Sequence, residues 1–419
     1  MVSEAAGDSH SARAQRATRW LALLCTVLVT HGSLYPWRFA WPQSVQAAWD
    51  EMMNQPSWYT GFGDVISNIV LFVPMGVFGM AWVRGWRAPP WLRAASVVSF
   101  NITLAFALQV AQLFVPARDA AWSDVVWNAI GLAIGMVIAM PVLRLPLGGL
   151  RALHWRLPIA FVLLWLLLQW WPFVPRLDWQ HVKDALKPLL LYPRWRTTTA
   201  IDAAVSLTLL AMLIRPLRRR TLLLCALPVL AALGTLLLEH QFLTVSRTVG
   251  WFVGVMLGLL SWRLAERSAA WTGVLLAVVW FTVDELRPFQ WADAWSNFYW
   301  VPFAALLQGS LRANTLALTW QLFWLGAAMV LAHRVGARAA PMAVALGLWA
   351  LLLEGVQTLL PERVADVTPA LLPWLWCLLL PLLQPLTTSG ALGSKRDAAG
   401  SRQPPELRSP SQGSAGYTN

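Results

Sequence analysis

Cysteine is nearly absent: three residues in 419, Cys25, Cys225 and Cys377, with no CxxC spacing. That excludes a disulfide framework or a cysteine zinc site, and leaves inert thiols buried inside apolar runs. Charge is also scarce, at 12% of residues against 58% hydrophobic, with a mean hydropathy of +0.54. So few charges do not dress the surface of a soluble chain this long, and the composition is that of an all-α, polytopic transmembrane bundle. Acids are the scarcer sign, 20 Asp and Glu against 32 Lys and Arg, for a formal net charge of +12. The surplus does not mark a nucleic-acid partner, because it forms no basic face. The arginines recur instead in short loops between apolar runs. HExxH, nucleophile-elbow and phosphate-loop motifs are all missing, so no metal or cofactor is expected.

Tryptophan is abundant, at 28 residues, and Trp37, Trp41, Trp170, Trp171 and Trp300 stand at the ends of apolar runs. Membrane–water interfaces select amphipathic rings at such places. Apolar runs lie at roughly 20–33, 64–83, 94–115, 122–143, 157–171, 199–214, 221–239, 248–262, 269–283, 315–333, 340–360 and 369–386. They predict about twelve spans, the first an uncleaved helix and several shorter than the ~20 residues a bilayer requires. The residues after Thr387 are rich in Ser, Gly, Pro and charge and are expected to be a disordered tail, 387–419.

Loop charge sets the orientation. With the N-terminus inside, the inner loops hold Arg84, Arg87, Arg93, Arg144, Arg215, Arg218, Arg263, Arg267, Arg334 and Arg338, among others, while the short outer loops hold Arg118, Arg247 and Arg363. The segment at 172–198 is the main exception. The balance predicts both termini in the cytoplasm of a bacterial inner-membrane protein whose partners include membrane lipids.

One pattern recurs. Glu354, Gln357, Pro361 and Arg363 repeat the spacing of Gln109, Gln112, Pro116 and Arg118. The +3 step puts the first two side chains on one helix face, and the proline predicts the helix end. Both arginines then lie just past that end. An acid roughly 10 Å inside an apolar helix, at about 1.5 Å per residue, is costly and marks a site or a structural clamp. A weaker third copy reads Glu239 to Arg247, without the proline.

These repeats predict a four-helix unit used three times: 1–145, a degenerate 146–268, and 269–386. Each opens with a span and a proline–aromatic step, Pro36-Trp37, Pro172-Phe173 or Pro288-Phe289. Asp64 and Asn68 open the second span of the first unit, Asp202 and Ser206 that of the second, and Asp293 and Asn297 keep the spacing in the third. Gly131 and Gly135, and Gly250, Gly254 and Gly258, are four apart, which lets helix backbones approach closely. Packing within one chain suffices to explain them.

Several of these residues carry a family likeness. Residues 64–76, which include Asn68, Leu71-Phe72, Pro74 and Gly76, resemble the N-x-x-LF-x-P-x-G span of VanZ-like proteins. Gln109, Gln112, Arg118, Asp124, Asn128 and Gly131 resemble the pattern that follows it in that family, E-x-x-Q, R, then D-x-x-x-N-x-x-G, with Gln109 where Glu is usual. Asn297 to Phe303 is similar to the family's outer N-x-x-PF segment with two extra residues, and Glu354, Gln357, Arg363 and Asp366 repeat the acid motif, with Ala370 in the place of Asn. The resemblance implies an envelope setting, the family being named for a protein linked to teicoplanin resistance, and brings no reaction with it.

Two readings of Glu354, Gln357 and Arg363 stand side by side: an outward pocket for the head group of a lipid-linked or glycopeptide-type ligand, or an interhelical hydrogen-bond clamp. Asp124, one turn from Asn128, suits a helix N-terminus without any ligand. Asp284-Glu285 sits at a run end, where carboxylates are usually solvated, and His240 beside Glu239 reads as merely hydrogen-bonded. The function expected is an envelope-related, head-group-binding membrane protein; the alternatives are an intramembrane enzyme on lipid-linked saccharide and a transporter or flippase.

Overall fold

A computed structural model describes residues 2–54, 62–144, 156–171, 173–176, 178–239, 242–305, 311–361 and 363–383. Each of the twelve apolar runs falls on a helix. In the first part of the chain these are α1 (Val2–Leu34), α3 (Phe62–Val83), α4 (Pro90–Gln112) and α5 (Trp122–Arg144), with the short amphipathic α2 (Val45–Asn54) between α1 and α3. Next come α6 (Arg156–Trp170), α8 (Thr197–Ile214), α9 (Arg220–Leu237) and α10 (Val245–Ser261), with amphipathic α7 (Trp179–Leu190) after α6. The last four are α11 (Glu266–Glu285), α12 (Leu311–Arg334), α13 (Ala339–Gln357) and α14 (Thr368–Leu383). Among the described residues there is no strand, only isolated bridges at Pro175–Leu238 and Tyr299–Asp366.

Eight of these helices are long and apolar enough to cross a membrane. Leu157–Trp170, Val245–Ser261 and Thr368–Pro381 are shorter apolar stretches, and α11 carries Glu266, Arg267, Asp284 and Glu285 at its ends. The apolar windows of α8 and α12 are 67% and 61% buried, against 22–39% for the other six spans, so these two stand at the centre of the bundle.

The compact body runs from Ala12 to Pro385; Met1–Ser11 and Leu386–Asn419 group apart from it, and of these only the start of α1 is described. The expected tail at 387–419 lies outside the described residues. Within the body, side chains of α1, α3, α4 and α5 form one apolar core, including Phe72, Met75 and Leu132. A larger core is shared by α6 to α14, with Trp165, Leu210 and Phe323 at its middle.

Glycine decides which helices touch. A Cβ on Gly131 or Gly135 would lie 2.1 Å from the carbonyl oxygen of Ile69 or Val73, so only glycine lets α5 meet α3 this closely. Gly250 does the same for α10 against α8, where a Cβ would be 2.4 Å from the Ala200 carbonyl oxygen. These stripes are used inside the chain. The cysteine expectation changes at one place: Cys225 is exposed on α9, while Cys25 and Cys377 are half-buried.

Candidate functional site

Helix α13 ends at Gln357, four residues before Pro361, and the chain then folds back across the end of α11. Arg363 holds this return in place. Its Nε donates to the Arg287 carbonyl oxygen at 2.9 Å and its Nη2 to that of Asp284. The Arg287 side chain pairs with the Asp284 carboxylate. Arg118 repeats the arrangement on α1, donating to the carbonyl oxygens of Tyr35 (2.9 Å) and Gly32 (2.7 Å). Both arginines therefore spend two of their guanidinium donors on backbone carbonyls at a helix end, where such acceptors lack partners.

A second bond recurs. The Asp366 amide donates to Glu354 Oε2 at 2.9 Å, and the Ala121 amide to Gln109 Oε1 at 3.0 Å, twelve residues on in each case. By this register Asp366 stands where the first copy has Ala121. The pairing of Asp366 with Asp124 that the motif suggests is corrected: Asp124 opens α5 and meets Gln109 Nε2 at 3.4 Å. Gln112 and Gln357 also reach to α1 and α11, Gln112 Nε2 to the Ser33 carbonyl oxygen at 2.9 Å and Gln357 Nε2 to Glu285 Oε2 at 2.7 Å.

The middle copy needs a correction too. Ala40, Arg176 and Ala292, each four residues past its proline, donate to the carbonyl oxygens of Phe114, Leu237 and Leu359, all at 2.8 Å. Leu237 thus aligns with Phe114 and Leu359, which puts Thr235 in the place of the glutamine. Glu239 lies beyond the helix end and pairs with Arg176 at 3.3 Å. Arg247 lies inside α10 and is not the counterpart of Arg118; that position, 241, and His240 lie outside the described residues.

In the last copy the acids converge. Glu285, Glu354 and Asp366 are 5%, 3% and 7% exposed and line one cavity of about 460 Å³ together with Asn314, Gln321 and Arg363. Gln321 Nε2 reaches Glu285 Oε1 at 3.4 Å, and Arg363 Nη1 stands 3.9 Å from Glu285 Oε2. Asp366 Oδ1 accepts from the Thr368 amide at 2.7 Å, and burial pushes its carboxyl above the ordinary aspartate range. Among the described residues no cluster of three or more His, Cys, Asp or Glu is placed to hold a metal ion.

Of the expected site residues, Glu354, Gln357, Arg363 and Asp366 share this cavity. Gln109, Gln112, Arg118, Asp124 and Asn128 gather separately, outside it. There Asn128 is buried with its Oδ1 unpartnered, and Asn68 is half-buried on α3; the Asp64 side chain lies outside the described residues. Sequence reasoning undervalued Glu285 as a solvated end residue and missed Gln321 and Asn314. The available signal was position, since Glu285 sits three residues before Pro288, as Ser33 does before Pro36.

Residues 8–144 match the family described as VanZ/LLP1. No curated protein and no solved structure matches the chain.

Proposed function

We propose, taking as premise that this is a VanZ-like membrane protein, that its third unit binds the polar head group of an amphiphile at the outer face of the cytoplasmic membrane and serves the cell envelope. In this reading the chain crosses the membrane twelve times in three VanZ-like units, both ends cytoplasmic. The helix-end bonds shared by Arg118 and Arg363, and the glutamine contacts beside them, support the repeat. The excess of arginine in the opposite loops supports the orientation.

The observation that carries the reading is the convergence of Glu285, Glu354 and Asp366 on one cavity. Arg363 spends its Nε and Nη2 on backbone carbonyls and its Nη1 stands 3.9 Å from Glu285, so the chemistry left to the cavity is mainly acidic and amide-like. That suits a head group offering ammonium, hydroxyl or amide donors, such as an amino sugar of a lipid-linked or glycopeptide-type ligand, better than one offering phosphate alone.

Complementation tests it. In a strain lacking the protein, the wild-type chain restores tolerance to a teicoplanin-type glycopeptide, while Glu285→Gln and Glu354→Gln, present at equal membrane levels, do not. Full restoration by both variants overturns the pocket. A tag in the 361–367 loop that reports the cytosol overturns the orientation.

A further inference from the structure

A second, smaller chamber lies inside the bundle, behind the acid cavity, with Leu168 and Trp320 in the wall common to both. It has a volume of about 150 Å³. Its polar groups come from the middle part of the chain: Thr199, Asp202 and Ser206 on α8, Arg247 on α10 and Gln169 on α6. Three indoles, Trp165, Trp320 and Trp324, close it.

The charges in it are incompletely matched. Asp202 Oδ1 accepts from Trp280 Nε1 at 2.9 Å and Trp320 Nε1 at 3.4 Å. Arg247 Nη1 is sealed from solvent and has no hydrogen-bond partner. No hydrogen bond joins the two side chains. An ionised carboxylate and a guanidinium kept in an apolar bundle normally pair directly, because each is costly alone. Here a space separates them instead.

The walls are fixed in place. Gly250 and Gly254 pack α10 closely on Ala200, Ala203 and Ala204 of α8, which sets the two helices that carry Arg247 and Asp202 against each other. Trp320 is stacked on Phe281 with ring centroids 5.3 Å apart, and Trp165 Nε1 is anchored on Ser206 Oγ at 3.2 Å. An aromatic wall beside a carboxylate is the environment that recognises an ammonium group, and a guanidinium offers paired donors to a phosphate or carboxylate.

We infer that this chamber binds a small zwitterionic group, its ammonium held by Asp202 and the tryptophan wall and its anionic oxygens by Arg247. The shared chemistry is that of phosphoethanolamine, free or as the head group of a lipid. The site is distinct from the acid cavity, and its ligand is matched in both signs.

The test uses the full chain in nanodiscs of phosphatidylglycerol and radiolabelled phosphoethanolamine. Saturable binding is expected, competed by unlabelled phosphoethanolamine but not by ethanolamine or inorganic phosphate at equal concentration. Arg247→Gln and Asp202→Asn should each weaken it at least tenfold, and Arg247→Lys, which keeps the charge but loses the fork, by a smaller factor. Glu354→Gln should leave it unchanged, so failure of the acid cavity and failure of this site read differently. Phosphatidylethanolamine added to the nanodiscs displaces the label if the lipid is the source, and does not if the free compound is. Absence of saturable binding to the wild-type chain overturns the inference, as does competition by inorganic phosphate alone as strong as by phosphoethanolamine; neither result depends on whether a variant folds.

Discussion

The bond from the Asp366 amide to Glu354 Oε2, at 2.9 Å, separates what the glutamate does for the fold from what it does for the cavity. The first copy carries the control: Gln109 Oε1 accepts the equivalent amide, from Ala121, at 3.0 Å. An amide oxygen is therefore a sufficient acceptor on this scaffold. Glu354→Gln should keep the bond and stay within about 1 kcal/mol of wild type, because it exchanges one acceptor for another. Glu354→Ala strands the Asp366 amide and opens a hole beside it. An unsatisfied buried donor costs about 1–3 kcal/mol, and the lost packing adds to that. The ordering, wild type near Gln and well above Ala, is read from denaturant midpoints of the detergent-solubilised chain. Equal losses for Gln and Ala would refute the argument, since they would mean that the charge itself, and not an acceptor at that place, holds the return loop.

Three further outcomes follow from the same geometry. Gly131→Ala and Gly135→Ala should each destabilise by about 1–3 kcal/mol through overpacking against carbonyl oxygens 2.1 Å from the new Cβ, whereas Gly355→Ala, with nothing within 4 Å, should change stability by less than about 1 kcal/mol. Arg118→Lys and Arg363→Lys should both lower the denaturant midpoint, because a single ammonium cannot span two carbonyls one helical turn apart. Burial raises the Asp366 carboxyl above its unfolded value, so the folded state binds the extra proton and stability falls as pH rises through the folded value; Asp366→Asn should flatten that slope in a pH series of melting curves.

The helices on the twelve apolar runs were legible in the sequence because each run is continuous and ends near arginine, proline or tryptophan, signals that act within a few residues, whereas the short amphipathic α2 and α7 have no such run. The motif was legible for a related reason: Gln357 and Arg363 follow Glu354 at spacings that a helix and its stop make physical. Glu285 was not, because its burial depends on the return of a loop some eighty residues later, and a run end looks solvated until that loop is placed. The register of Asp366 was also hidden, since the segment past Pro361 is irregular and only the amide bond to Glu354 fixes it. The middle copy misled because Glu239 and Arg247 mimic the motif's spacing on opposite sides of a helix break.

The corrected register bears on function. Ser33, Gln109 and Ala121 in the first copy occupy the places of Glu285, Glu354 and Asp366 in the last, three neutral residues against three acids. The first copy closes on itself: Gln109 takes the Ala121 amide and meets Asp124, Gln112 takes the Ser33 carbonyl, and Arg118 takes two more. The same backbone frame in the last copy carries acids, which accept from other groups: Glu285 from Gln357 and Gln321, Glu354 from the Asp366 amide, and Asp366 from the Thr368 amide. Three acids share the cavity with one arginine that spends Nε and Nη2 on backbone carbonyls and brings only Nη1 towards Glu285, so the lining holds more acceptors than cationic donors. A structural clamp accounts for the bonds of Gln109, Gln112 and Arg118 in the first copy, whereas in the last copy the acids also line a cavity, where a donor-bearing ligand would find acceptors.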